Sequence, residues 1–180
     1  MARGGRCDDA GRRVKVAVLA TGPSMSQAVA DRARAECDAV VAVNKAMELA
    51  PWADALAAND HAWWKANPHA KQFAGRKFSA NKIEGVEQVT HELISRQSSS
   101  GALGIYAAHL LGATEIELHG FENRGDHYFG KYPEPLRNTS VSRYVAFEDQ
   151  LSALGRYLKK LGISVVNKTP DSALKCFRHG

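Results

Sequence analysis

VKVAVLATGPSM, residues 14–25, reads as a short buried strand, Val14 to Ala20, that runs through a tight turn of small residues into a helix. A strand handed to a helix in this way builds an anion site. The helix N-terminus presents N–H groups with no intrahelical partner and the positive end of its dipole, and Gly22 lets a phosphate approach the backbone. Thr21, Gly22, Pro23 and Ser24 are therefore the first candidate ligand residues, with Ser24 able to cap the helix or to offer its hydroxyl to the ligand. The stretch is neither G-x-G-x-x-G nor a Walker A loop, because the later glycines and the Lys-Ser/Thr pair are missing. An ordinary strand–turn–helix with Ser24 as N-cap fits the same residues.

Outward from this unit the chain alternates strands and helices. An Ala-rich helix is expected from Met25 to Glu36, a second buried strand at Ala39–Val43 ending in Asn44, a short helix from Lys45 to Leu49, and a third strand at Asp54–Ala58 ending in Asn59-Asp60. Between residues 61 and 97 a short helix carries Trp63 and Trp64, and small strands are expected at Lys77–Ala80 and Val86–Val89. Ser98-Ser99-Ser100-Gly101 opens a helix, Ala102 to Leu111, followed by a strand Glu115–His119 that stops at Gly120. A long polar and aromatic loop, 121–142, precedes a helix from Arg143 to Leu161 and a last strand Ile163–Asn167. Tyr144, Phe147, Leu151, Leu154, Leu158 and Leu161 form the core stripe of that helix. The pattern predicts an α/β fold: a single doubly wound, mostly parallel Rossmann-like sheet with helices on both faces and a lid loop. The expected organisation is a disordered basic tail, 1–13, and one nucleotide-binding domain, 14–180.

Composition sets wider limits. The 180 residues carry a net charge of +5, from 24 Lys and Arg against 19 Asp and Glu, with much of the excess at the two ends. That balance suits an anionic ligand without naming one. Cys7, Cys37 and Cys176 are odd in number and far apart, which indicates neither a disulfide framework nor a zinc site. No apolar stretch reaches membrane-spanning length, there is no apolar signal core, and no motif that reads nucleic acid stands out, so a cytoplasmic protein is expected.

In open parallel sheets, ligands bind beyond the carboxyl ends of the strands, near the point where strand order reverses. The residues after each expected strand are then the candidates: Thr21–Ser24, Asn44, Asn59-Asp60, Gly120-Phe121-Glu122 and Asn167-Lys168. An asparagine offers both donor and acceptor to a base edge or a sugar hydroxyl, although each is also a common strand-end turn residue. Asp60 could equally cap the helix that follows it. The Ser98–Gly101 helix start adds a second phosphate cradle. Trp52, Trp63 and Trp64 suit burial against neighbouring elements or a second subunit, which leaves a homo-oligomer as an expectation.

ATGPSM, the AVN that ends the second strand, and SSGALGIYAAHLLGATEIELHGFE together resemble the bacterial sialyltransferases that use a CMP-activated sugar. The same order of elements is similar to the hydroxymethylpterin-diphosphokinase-like and flagellin-modifying proteins and to uncharacterised prophage proteins. NKTPDSALKCF resembles their C-terminal strand and Ser-containing loop. The resemblance covers residues 14–177. It implies that Thr21, Gly22, Pro23 and Ser24 hold the nucleotide phosphate or ribose, that Asn44 and Asn59 contact the nucleotide or donor, and that Ser99, Ser100 and Gly101 bind phosphate. Thr21 stands where the family usually has Asn. The His expected in the segment before the long helix is absent from residues 138–145.

The loop FENRGDHYFGKYPEPLR, residues 121–137, is the next place for chemistry. His127 titrates near neutrality and is the candidate base, with Asp126 or Glu122 as its partner. Tyr128 and Tyr132, with Lys131 and Arg137, could neutralise a leaving phosphate as the loop closes. The leading expectation is a nucleotide-dependent transferase moving a sugar from a CMP-type nucleotide sugar to an acceptor hydroxyl, with no metal and no further cofactor. The alternatives are a phosphoryl or diphosphoryl transferase, with Mg²⁺ recruited by Asp60, Glu122 or Asp126, and a non-catalytic nucleotide-binding or assembly protein.

Overall fold

The computed structural model describes residues 13–180. The tail expected at 1–13 lies outside the described residues except for Arg13.

The strands are β1 (Lys15–Leu19), β2 (Ala39–Val43), β3 (Ala55–Ala57), β4 (Arg76–Ser79), β5 (Glu87–Gln88), β6 (Glu115–His119), β7 (Ser164–Asn167) and β8 (Arg178–His179). The helices are α1 (Gln27–Glu36), α2 (His61–Ala66), α3 (Ser100–Leu110) and α4 (Val141–Lys160), with short 3₁₀ turns at Asn44–Glu48 and Pro68–Gln72. The strands form one eight-stranded sheet in the order β5-β4-β3-β2-β1-β6-β7-β8, and every pairing is parallel. The chain builds leftward from β1 to β5, then returns through α3 to lay β6 on the other side of β1. This is the Rossmann-like, doubly wound arrangement, and its switch point is the β1–β6 seam.

Alternation along the strands divides the core into two layers. Val16 and Val18 of β1, Val41 and Val43 of β2 and Ile116 and Leu118 of β6 pack beneath α3 and α4. Ala17 and Leu19, Val40 and Ala42 face the opposite layer, with Ala30 and Ala33 of α1 and Trp63 and Trp64 of α2. Helix α3 is buried from Ala102 to Ala108 because it lies across the middle of the sheet. Gly104 makes that approach possible: a Cβ there would stand 2.5 Å from Val43 Cγ2 and 3.1 Å from Val18 Cγ1.

Several expected boundaries move. Helix α1 begins at Gln27, not Met25, and its cap is Ser26, whose hydroxyl accepts from the Val29 N–H at 3.4 Å. The residues before it are held in a turn by the Met25 N–H donating to the Gly22 carbonyl at 3.0 Å, and Met25 is buried. Leu161 leaves the expected core stripe of α4: it is 49% exposed, while Leu151, Leu154 and Leu158 are buried. The reason is that α4 ends at Lys160, and Leu161 turns out with the C-cap. The two-residue β8, paired to β7, has no counterpart among the expected strands. Among the described residues, no helix is long and apolar enough to cross a membrane.

Candidate functional site

A cleft of about 520 Å³ opens at the carboxyl edge of the sheet, over the switch point. Its walls come from the ends of β1, β2, β3 and β6, from the start of α3, from the loop before α4 and from the first turns of α4.

The turn after β1 carries a surprise. The Ser24 N–H donates to Glu122 Oε1 at 2.7 Å, and Glu122 is only 5% exposed. A Cβ at Gly22 would lie 1.6 Å from Glu122 Oε2 and 2.5 Å from the Gly120 carbonyl oxygen. The Glu122 carboxyl, three residues past β6, thus takes one N–H of the turn that the sequence offered to a phosphate. Thr21 and Gly22 line the cleft, whereas Pro23 and Ser24 lie outside its lining.

The start of α3 has open donors. The Ser99 hydroxyl caps the helix by accepting from the Ala102 N–H at 3.1 Å, and the Ser99 N–H donates to Gln150 Oε1 of α4 at 3.1 Å. Gln150 Nε2 also donates to the Ser98 hydroxyl, so one amide pins the segment to α4. The Ser100 hydroxyl accepts from the Asn59 N–H at 3.0 Å. The N–H groups of Ser100 and Gly101, in the first turn, have no partner within the helix. Both residues line the cleft. Arg96, Arg124, Arg137 and Arg143 line it too, against Asp60, Glu122 and Asp126, so cations outnumber anions around these donors.

Asn59 is not part of this lining. Its Nδ2 donates to the carbonyls of Ser95 at 2.9 Å and Ser98 at 2.8 Å, and its Oδ1 accepts from the Ala80 N–H at 2.9 Å. With its side chain committed to backbone and 2% exposed, Asn59 ties β3, β4 and the approach to α3 together. The nucleotide contact expected of it would have to compete with these three bonds. Asp60 caps α2 by accepting from the Ala62 N–H at 2.8 Å and still reaches the cleft. Asn44 reaches it at a φ of 51°, and its Oδ1 is buried without a partner.

The loop after β6 folds over this edge. His127 Nδ1 and the Thr21 hydroxyl are 2.8 Å apart. The ring stacks on Phe129 with centroids 4.9 Å apart and meets Tyr132 edge-on at 4.8 Å. Burial pushes the His127 pKa below its usual 6.5, against opposing contributions from Thr21 and Asp126. The imidazole is therefore neutral at pH 7, and its partner is Thr21. Asp126 acts through charge alone and is exposed, while Glu122 is bonded elsewhere. The Tyr128 hydroxyl donates to the Lys45 carbonyl at 2.9 Å, and burial raises its pKa to about 12. Tyr132 is pushed up further by burial, against the nearby Trp63 indole and Lys45 backbone, which both lower it. Both phenols keep their protons at neutral pH.

Sequence reasoning did not single out Arg96, Asn81, Gln150, Arg143, Tyr144 or Phe147 as site residues. Tyr144 and Phe147 were assigned to the core, yet they line the cleft because α4 begins at its mouth. Arg96 precedes the Ser98–Gly101 helix start, and that position beside an anion cradle was the available signal.

No protein-family model matches this chain, and no curated protein matches it. Among solved structures it is similar to a probable thiamine pyrophosphokinase from Staphylococcus saprophyticus subsp. saprophyticus, at 11% identity with a TM-score of 0.47. That alignment covers 84% of this chain, which spans 63% of the length of the other.

Proposed function

We propose that this protein is a nucleotide-dependent transferase that moves a phosphoryl or diphosphoryl group. The observation that carries the reading is the meeting, in one cleft, of the open Ser100 and Gly101 N–H groups with a neutral His127. The α3 terminus and the arginines suit the phosphates of a donor, which gain from oriented N–H dipoles and bidentate guanidinium contacts. In the tautomer whose Nδ1–H donates to the Thr21 hydroxyl, His127 has a free Nε2 lone pair to take the proton of an acceptor hydroxyl. That oxygen then attacks phosphorus, and the departing nucleotide keeps its negative charge beside the α3 donors.

The unpaired, buried Glu122 Oε2 favours phosphoryl over glycosyl transfer. A bare phosphate placed on the β1 turn would meet this carboxyl, whereas a phosphate carrying Mg²⁺ would be complementary to it. No cluster of three or more metal-ligating side chains exists among the described residues. Glu122 and Asp126 would hold the ion jointly with the phosphates, and the ion would neutralise phosphate charge. Sugar transfer from a CMP-type donor is the second reading, supported by His127 as a base on the loop that covers the cleft.

Thermal unfolding against CMP, CTP, ATP and GTP, with and without Mg²⁺, tests this. A ligand at one hundred times its dissociation constant adds about 2.7 kcal/mol, a shift of about 5–10 °C at this size. A magnesium-dependent rise with a triphosphate is the expected result. A rise with CMP alone would move the reading to sugar transfer, and no response to any of them would overturn both.

A further inference from the structure

A second recess opens beside the cleft, between α2 and the segment that follows β4. It offers about 370 Å³, within the roughly 300–1,000 Å³ of small-molecule sites. Its apolar lining comes from Trp64 of α2, Pro68 of the 3₁₀ turn and Ile83 after β4. Trp64 is fixed in place by its indole N–H, which donates to the Ala58 carbonyl at 2.8 Å. The same three segments each add one lysine to the lining: Lys65, Lys71 and Lys82. Lys71 lies 3.8 Å from Glu84, the carboxylate of this lining, whose side chain is 95% exposed. Among the described residues, neither Lys65 nor Lys82 forms an ion pair. Three ammonium groups thus face one loosely held carboxylate. A concave wall of low dielectric focuses such a field and draws anions to it. The lysine stems can lie along the apolar lining while their charges stay at the rim. The recess therefore suits a molecule that carries an anionic group on an apolar body.

This recess adjoins the cleft. His61 belongs to both linings, and Asn81 of the cleft is followed directly by Lys82 of the recess. Asn81 is anchored by its Nδ2, which donates to the Asn59 carbonyl at 2.5 Å, so the boundary between the two has a fixed place. We propose that the lysine recess binds the anionic group of the acceptor, a carboxylate or a phosphate ester on an apolar body, whose hydroxyl extends past His61 into the cleft. This rests on the transfer reading of the cleft and deepens it by giving the acceptor a charge class. Donor phosphates lie at α3 and its arginines, the acceptor's anion lies on the lysines, and the two are bound together.

Two-dimensional ¹H–¹⁵N NMR of the 19.6 kDa chain reports both affinity and location. The probes are phenyl phosphate, benzoate and uncharged phenol, each with and without Mg²⁺ and inorganic tripolyphosphate. The expected result is that an anionic probe shifts the Lys65, Lys82 and Ile83 amides and the Trp64 indole N–H, while tripolyphosphate shifts Ser100 and Gly101. A tighter phenyl phosphate marks a phosphate-ester acceptor, and a tighter benzoate marks a carboxylate. Phenol should bind about tenfold more weakly, and a double variant, Lys65→Ala with Lys82→Ala, should weaken the anion about fivefold or more with tripolyphosphate unchanged. Phenol binding as tightly as the anions overturns the proposal, because the recess then selects apolar surface alone. So does an anionic probe that shifts only Ser100 and Gly101, that tripolyphosphate displaces, or that leaves the recess unshifted. Tripolyphosphate without effect on Ser100 and Gly101, beside an anion that fills the recess, keeps the anion site and overturns the phosphate reading of the cleft. The wild-type shift map decides the matter even if the double variant fails to fold.

Discussion

Glu122 Oε2 stands 1.6 Å from where a Cβ of residue 22 would be, so the end of β6 and the turn after β1 are built around the absence of a side chain at Gly22. Gly22→Ala is expected to destabilise the protein by about 1–3 kcal/mol, the usual cost of overpacking, and so to lower Tm by several degrees. Removing Glu122 does not rescue it fully, because the Gly120 carbonyl oxygen is also within 2.5 Å of that Cβ. The check is a thermal double-mutant cycle with Glu122→Ala. Complete rescue in the double variant would show that the carboxyl alone excludes a side chain there.

Asn59 should behave as a structural residue. Asn59→Ala leaves the Ser98 carbonyl and the Ala80 N–H without their side-chain partner, while the Ser95 carbonyl keeps only the Ser98 N–H. At about 1–3 kcal/mol for each buried group left unsatisfied, it should be among the most damaging substitutions near the cleft. Urea unfolding should give a lower midpoint with an unchanged slope. A variant as stable as the wild type, but deficient in ligand binding, would return Asn59 to the ligand.

These two residues also mark how far the sequence could be read. The buried β-branched runs and the Gly and Ser turns made the alternating elements and the parallel sheet legible, because strand burial and helix periodicity are local signals. The cleft's position followed from topology. Partner choice was not legible. Nothing local says that the Ser24 N–H finds Glu122, 98 residues away, or that His127 finds Thr21 across 106 residues. Asn44 and Asn59 look alike as strand-end asparagines, yet one has an unpaired oxygen in the cleft and the other is fully bonded to backbone. The two-residue β8 was missed because so short a segment has no period to read.

Gly104 offers a case in which two effects oppose. Replacing a helix-interior glycine by alanine gains about 1 kcal/mol of helix propensity. Here the new methyl would stand 2.5 Å from Val43 Cγ2, at the centre of the β2–α3 contact. Val43 is buried on a strand hydrogen-bonded on both sides, so moving β2 to relieve the contact would disturb β1 and β3 as well. The clash should win, and Gly104→Ala should lower Tm. A rise in Tm would show that α3 can lift from the sheet without cost.

His127 ties stability and function to the same proton. Its folded pKa lies below the unfolded value of about 6.5 because burial disfavours the imidazolium. As pH falls through 6.5, the unfolded chain takes up a proton before the folded chain does, so the folded state loses stability until the pH is below both values. Above 6.5 the contribution is complete and flat. The His109 and His119 pKa values are also lowered by burial, so the wild type should lose Tm on acidification through all three histidines. His127→Gln removes one of these and should lessen the acid slope between pH 6.5 and 5 without abolishing it. Turnover, read as kcat/KM, should fall over the same range in the wild type, because protonation of Nε2 removes the base. A pH-independent turnover from 5 to 8, with an acid slope of Tm unchanged in His127→Gln, would remove His127 from both roles.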